Sequence, residues 1–295
     1  MKLSNYMTGL LLAILAATGF ACKAIFVKLA YRYGVDGTTL VTIRLLLVLP
    51  LIAAMRLLRK TPTTALSWHD RGMIMLLGLL GYYLSSLLDF LGLETVSASI
   101  ERLILCLYPT LTVLLSAWLM QTSISRRMWS AMALTYCGMV LVLAPDFAGA
   151  RLDLLGIFFV VASTVSYAFY LTWSPPVIKR IGSMRFAELA LTVSAIAMFI
   201  HYLLTRPLGI LIHQPLPVWG YGLIMALVAT VLPLYALSAA MARIGAGKTA
   251  LIGSVGPILT IFLSIGILDE HLSPLQWAGV GVVLTGIWLV GQRKT

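Results

Sequence analysis

Charge is what this chain has least of. Only 11% of its 295 residues are Asp, Glu, Lys or Arg, against roughly 25% in a soluble domain. A water-soluble globule of this size needs an ionised coat, and so few charges cannot provide one. Cysteine is almost as scarce. Cys22, Cys106 and Cys137 all sit in apolar runs with no CxxC spacing, which excludes a disulfide scaffold and gives no metal site. HExxH and GxSxG are missing, and His69, His201, His213 and His271 are not spaced as metal ligands. The expectation is therefore no catalytic constellation, no metal and no cofactor. The net charge is +11, yet no Lys/Arg-rich stretch carries interleaved aromatics, so nucleic acid is not the expected partner. Long polar linkers are missing too: the longest breaks, 59–71 and 206–216, have no room for a soluble domain.

Apolar residues make up 60% of the chain and the mean hydropathy is +0.99. The partner for most of the surface is then a lipid bilayer, whose core of about 30 Å is crossed by about 20 apolar residues. Cutting at charges, prolines and glycine clusters leaves ten such runs: 7–31, 38–58, 72–92, 96–119, 127–145, 153–174, 184–205, 217–240, 246–268 and 275–291. None alternates as a barrel strand would. The expected fold is an all-α membrane protein with ten transmembrane helices. The first 24 residues mimic a cleavable signal peptide, but the apolar run continues through Ala24–Ala30, so they read as the first span.

Basic residues set the expected orientation. With alternate loops on alternate sides, one side holds Lys2, Arg56, Arg59, Lys60, Arg71, Arg126, Arg127, Lys179, Arg180, Arg185, Arg243, Arg293 and Lys294. The other holds Arg32, Arg151 and Arg206. Both termini are expected in the cytoplasm, in a cytoplasmic (inner) membrane.

The chain also repeats itself. At a constant offset of 148, Pro109 meets Pro257, Thr112 meets Thr260, Ser116 meets Ser264, Trp129 meets Trp277 and Gly138 meets Gly286; Gly9 meets Gly156 at 147. This gives two units, 1–146 and 153–295, of five spans each. An odd unit in tandem enters the bilayer from opposite faces, so the copies are inverted, a pattern of secondary transporters with a substrate site near the midplane.

The stretches GLETVSASIERLILCLYPTLTVLLSAWLM and RIGAGKTALIGSVGPILTIFLSIGILDEHLS, each followed by a Gly-bearing helix, resemble the paired EamA domains of the drug/metabolite transporter (DMT) superfamily. The resemblance implies ten helices and export or exchange of small metabolites. The acidic turn that it implies is present as Asp269-Glu270 in the second copy. The first copy has Gln121-Thr122 there.

An ionised group at mid-helix costs about 2.5–3.5 kcal/mol or more in lipid, so buried charges are the candidate site. Lys23 reads either as a cavity ammonium for an anionic substrate or as the structural partner of Asp89 or Glu101. Lys28 reads as a snorkelling side chain. Arg44, Asp89, Glu101 and Arg102 are expected to form an outer-half network that gates access or carries protons, or simply static ion pairs. Glu101 and Arg102 are adjacent on a helix and so point in different directions. Tyr82, Tyr108 and Tyr167 are candidate cavity wall. Lys248 lies in Gly245-Ala246-Gly247-Lys248-Thr249, which imitates a phosphate loop, but position 242 is Ala rather than the Gly the pattern needs; it reads instead as a candidate contact for an anionic substrate from the inside, or as a snorkelling side chain. Pro109 and Pro257 are expected to kink their helices at matched points. The expected activity is secondary active transport of a small polar metabolite, such as an amino acid or organic acid, by alternating access. Protons or a counter-substrate would drive it, and a homodimer is an open alternative. An intramembrane enzyme or a receptor-like scaffold is the rival.

Overall fold

A computed structural model describes residues 2–59, 65–120, 126–148, 153–244, 249, 252–253 and 255–291. Among them there is helix and no strand. The first run is α1 (Lys2–Ala21) and α2 (Lys23–Tyr31), followed by α3 (Gly37–Arg59). The third run comprises α4 (Trp68–Gly78), a π-helical stretch at Leu79–Leu84 and α5 (Ser85–Thr95). The fourth is broken into α6 (Ala98–Leu105) and α7 (Tyr108–Met120). Next come α8 (Arg126–Ala148), α9 (Leu154–Ile181), α10 (Ser183–Thr205) and the short α11 (Leu208–Ile212). Then α12 (Leu216–Ala226), a second π-helical stretch at Leu227–Val231, and α13 (Leu232–Ile244) form one run. The last two are α14 (Gly256–Leu268) and α15 (Pro274–Gly291).

Seven of these runs are long and apolar enough to cross a membrane: Asn5–Tyr31, Gly37–Leu57, Trp68–Thr95, Ala98–Leu119, Leu154–Ile181, Ser183–Thr205 and Leu216–Ala240. Two shorter apolar helices, Met132–Pro145 and Gly256–Leu268, accompany them. With backbone groups satisfied inside each helix, this is an all-helical, multi-pass membrane protein.

Polar caps mark the helix starts. Asp36 Oδ1 accepts the Thr39 amide at 3.0 Å, Ser67 Oγ the Asp70 amide at 3.0 Å and Ser97 Oγ the Ile100 amide at 3.2 Å; such caps satisfy donors that the helix leaves free. Asp153 caps α9 through the Leu155 amide at 3.0 Å. Hydrogen bonds from the Thr95 hydroxyl and that amide hold its carboxyl below the usual carboxylate range.

Helices pack in antiparallel pairs through glycines. A Cβ at Gly9 would strike Ile244 and Arg243, and one at Gly19 would strike Pro233, so α1 runs against α13. A Cβ at Gly156 would strike Thr95 and Val96, and one at Gly92 would strike Val160, so α9 runs against α5. Gly138 and Gly279 bring α8 and α15 together backbone to backbone. The main core lies among α2, α3, α5, α10 and α12, with Leu40, Ile43, Leu45, Phe90, Leu191 and Met198 fully buried. A second core joins α6, α8 and α15 through Leu103, Ile104, Val142 and Val283.

Two details differ from the sequence expectation. Pro109 and Pro257 do not kink continuous helices: α7 begins at Tyr108 and α14 at Gly256, so each proline stands in the first turn of a new helix. The missing N–H costs nothing there, because the first four amides of a helix have no helical partner. The backbone around the two breaks is alike: the Leu107 amide bonds to the Ile104 carbonyl at 3.0 Å and the Val255 amide to Ile252 at 3.1 Å.

Candidate functional site

Lys23 opens α2 immediately after the bend at Cys22. Its ammonium contacts Asp89 Oδ2 of α5 and donates to Glu101 Oε1 of α6 at 3.0 Å. The three side chains are 18%, 4% and 0% exposed respectively. Asp89 Oδ1 and Glu101 Oε2 are buried with no hydrogen-bond partner. One ammonium therefore serves two dry carboxylates from three helices.

The network expected of Arg44, Asp89, Glu101 and Arg102 is drawn differently. Arg44 donates to Ser86 Oγ at 2.8 Å and lies over the Phe90 ring, 4.8 Å from its centroid. Cation–π contact of this kind shelters a guanidinium that forms no ion pair with a described carboxylate. Glu101 turns to Lys23, while Arg102, the next residue, turns to α14: a Cβ at Gly256 would come within 2.9 Å of Arg102 Nη2. No described carboxylate lies within ion-pair distance of Arg102, and its Nε is buried with no partner.

Aromatic rings line up beside Arg102. Tyr108, 39% exposed, meets Tyr167 edge-on at 5.6 Å. Tyr167 stacks on Tyr170 at 5.4 Å, and Tyr170 meets Tyr82 at 5.3 Å, with their hydroxyls 3.2 Å apart. Gly81 makes room for the Tyr170 ring within the π-helical stretch. Lys248 lies outside the described residues, and so do its neighbours Gly245, Ala246 and Gly247.

The α6–α14 pair closes around this region from the 98–102 end. Glu270 accepts from the Ala98 and Ser99 amides at 2.7 and 3.1 Å, a charged cap on α6 supplied from the far end of the chain. Ser99 and Ser264 hydroxyls meet at 2.6 Å, and Thr260 donates to the Ala21 carbonyl at the α1–α2 bend at 3.0 Å.

Sequence reasoning missed a further buried acid. Glu188 of α10, 5% exposed, accepts from the Tyr235 hydroxyl and lies 3.6 Å from Arg56. A Glu within the run 184–205 was the available signal. Asp70 and Arg180 pair between α4 and α9, with Nε at 2.8 Å.

The EamA-like transporter family model matches residues 7–144 and again 154–292. The chain is 30% identical over 302 residues to the uncharacterized transporter YcbK of Bacillus subtilis, covering 99% of this chain and 96% of that one. It is 24% identical to the uncharacterized transporter sll1319 of Synechocystis, again over 99% and 96% of the two chains. One solved crystal structure shares the fold at a TM-score of 0.64 and 17% identity, covering 98% of each chain. The chain belongs to the EamA-like transporter family, within the drug/metabolite transporter superfamily.

Proposed function

We propose that the chain is a secondary active transporter of a small anionic metabolite, an amino acid or organic acid, bound near Arg102 and moved by alternating access between two inverted units, 1–146 and 153–295. It sits in the cytoplasmic membrane with both termini in the cytoplasm, the side richer in Lys and Arg.

The inverted arrangement is supported by contacts that recur at the sequence offset. The π-helical stretches start at Leu79 and Leu227, 148 residues apart, as do the helix restarts at Tyr108 and Gly256. The Gly9 contact with Ile244 has its counterpart in Gly156 against Val96. On this reading the shorter helices also cross, giving ten spans.

The observation that carries the substrate reading is Arg102. A guanidinium with a buried, unpartnered Nε stands beside Gly256, the first residue of α14. Ala98 to Tyr108, α6 plus the break after Leu105, advances about 15 Å at roughly 1.5 Å per residue, half of a bilayer core of about 30 Å. The restarts of α7 and α14 thus bring two positive helix ends to the midplane, next to a free cation. A carboxylate would be held by all three, and Tyr108 and Tyr167 would wall the rest of the molecule. Substrates of transporters are held in this way by half-helix N-termini.

The test is uptake or exchange in sealed proteoliposomes with a panel of amino and organic acids. Wild type should transport at least one of them. Arg102→Ala should lower that flux about tenfold or more, the ~1.5–3 kcal/mol of a charged hydrogen bond, while Arg102→Lys keeps part of it. Full flux through Arg102→Ala would remove the anion site.

A further inference from the structure

We propose that Asp89 and Glu101 together hold one exchangeable proton, making the first unit of this chain a proton-binding site. The chemistry stands on geometry alone; its use to drive transport rests on the function proposed above.

Both carboxyls are almost wholly inaccessible, at 4% and 0% side-chain exposure. They come from different helices, α5 and α6, and converge on the same ammonium. Two ionised carboxylates share one paired ammonium in a dry interior; Arg44, Arg102 and Lys28 act on them only through space, and among the described residues no second cation pairs with either, an unfavourable arrangement. Each carboxyl also keeps one buried oxygen, Asp89 Oδ1 and Glu101 Oε2, with no donor. One proton answers both problems: it removes the repulsion between the two carboxylates and turns an unpartnered acceptor into an O–H donor. The step is a single proton from water joining a carboxyl oxygen and leaving later to water, with no other bond changed.

The other charged groups facing the pair do not replace that proton. On α3, Arg44 is held by Ser86 and Phe90. On α6, Arg102 reaches Gly256 and acts on Glu101 through space without pairing with it. On α2, Lys28 acts through space on both Glu270 and Glu101 and forms no ion pair with a described carboxylate, and Glu270 already accepts the Ala98 and Ser99 amides. On α14, Ser264 and Thr260 are engaged by the Ser99 hydroxyl and the Ala21 carbonyl. At the repeat offset, the counterparts of Asp89, Glu101 and Lys23 are Leu237, Thr249 and Tyr170. The second unit therefore has no matching acid pair, and one proton per molecule is the expected stoichiometry.

The experiment is attenuated-total-reflection infrared spectroscopy on the full chain in liposomes, taken through a pH cycle with protons as the only ligand. Wild type should show one carbonyl stretch of a protonated carboxylic acid that appears and disappears reversibly with pH. Glu101→Gln and Asp89→Asn should each abolish it, whereas Glu188→Gln should leave it intact. Lys23→Met, which removes the shared cation, should double the band. A wild-type spectrum without a titrating acid band overturns the proposal, and so does a band that survives both Glu101→Gln and Asp89→Asn. Because the readout needs no substrate, failure here leaves the transporter reading standing, and loss of uptake in the Arg102 variants bears only on that reading.

Discussion

Lys23 illustrates how one buried charge is read twice. From the sequence it is either a cavity ammonium or an ion-pair partner, since apolar neighbours do not say which helix faces it. The structure supplies Asp89 and Glu101 as partners from 66 and 78 positions away. Removing the ammonium leaves two buried carboxylates without a counter-charge, and breaking a buried pair this way costs about 3–5 kcal/mol. Lys23→Met should therefore lower the apparent melting temperature in detergent at alkaline pH and recover part of it at acid pH, where both acids take up protons; a melting curve equal to wild type at every pH would contradict the ion-pair geometry. Arg102 is the opposite case. Its neighbour Glu101 has the same apolar surroundings in sequence, yet only Arg102 ends beside Gly256, because successive helical positions lie about 100° apart.

The helical runs themselves were legible. Hydropathy and length located segments such as 38–58 and 184–205, observed as Gly37–Arg59 and Ser183–Thr205. What hydropathy does not encode is interruption. The bend at Cys22 and the π-helical stretches lie in sequences as apolar as their flanks, and the prolines revealed a break without revealing that the helix restarts there. Glycines report the close approaches instead. At Gly138 an added Cβ would meet the Val283 amide nitrogen at 2.7 Å and the Gly279 carbonyl at 2.9 Å. Backbone atoms have nowhere to retreat, so Gly138→Val should separate α8 from α15 and destabilise by about 1–3 kcal/mol, read as a lower midpoint in thermal unfolding. Gly220, with nothing within 4 Å of its would-be Cβ, should accept Ala with no such loss.

At the scale of the whole molecule, the two units share sequence and several contacts, and they differ at particular pairs. Thr260 is buried and reaches the Ala21 carbonyl, whereas its repeat mate Thr112 is half-buried and bonds only to the Tyr108 carbonyl of its own helix at 2.7 Å. Exchange of roles between the units would carry Thr112 to the carbonyl of Ala168, the counterpart of Ala21. A Thr112→Cys/Ala168→Cys double variant, built without the native cysteines, should cross-link only in the alternate state and block transport when it does. Cross-linking that leaves flux unchanged would show that this pairing does not belong to the cycle.

The amino-acid pattern alone determined that the chain belongs in lipid, roughly where its helices run, that it contains a repeat and that it resembles a transporter family. Those properties depend on local composition and on spacing, both of which survive in one dimension. Tertiary structure decided which charges meet: Lys23 with both acids, Arg44 with Ser86 and Phe90, Arg102 with no described carboxylate. It also exposed Glu188 and the Glu270 cap on α6. Pairing of this kind depends on helix rotation and on contacts between residues as far apart as 98 and 270, and neither hydropathy nor periodicity records a direction around a helix that is apolar on every side.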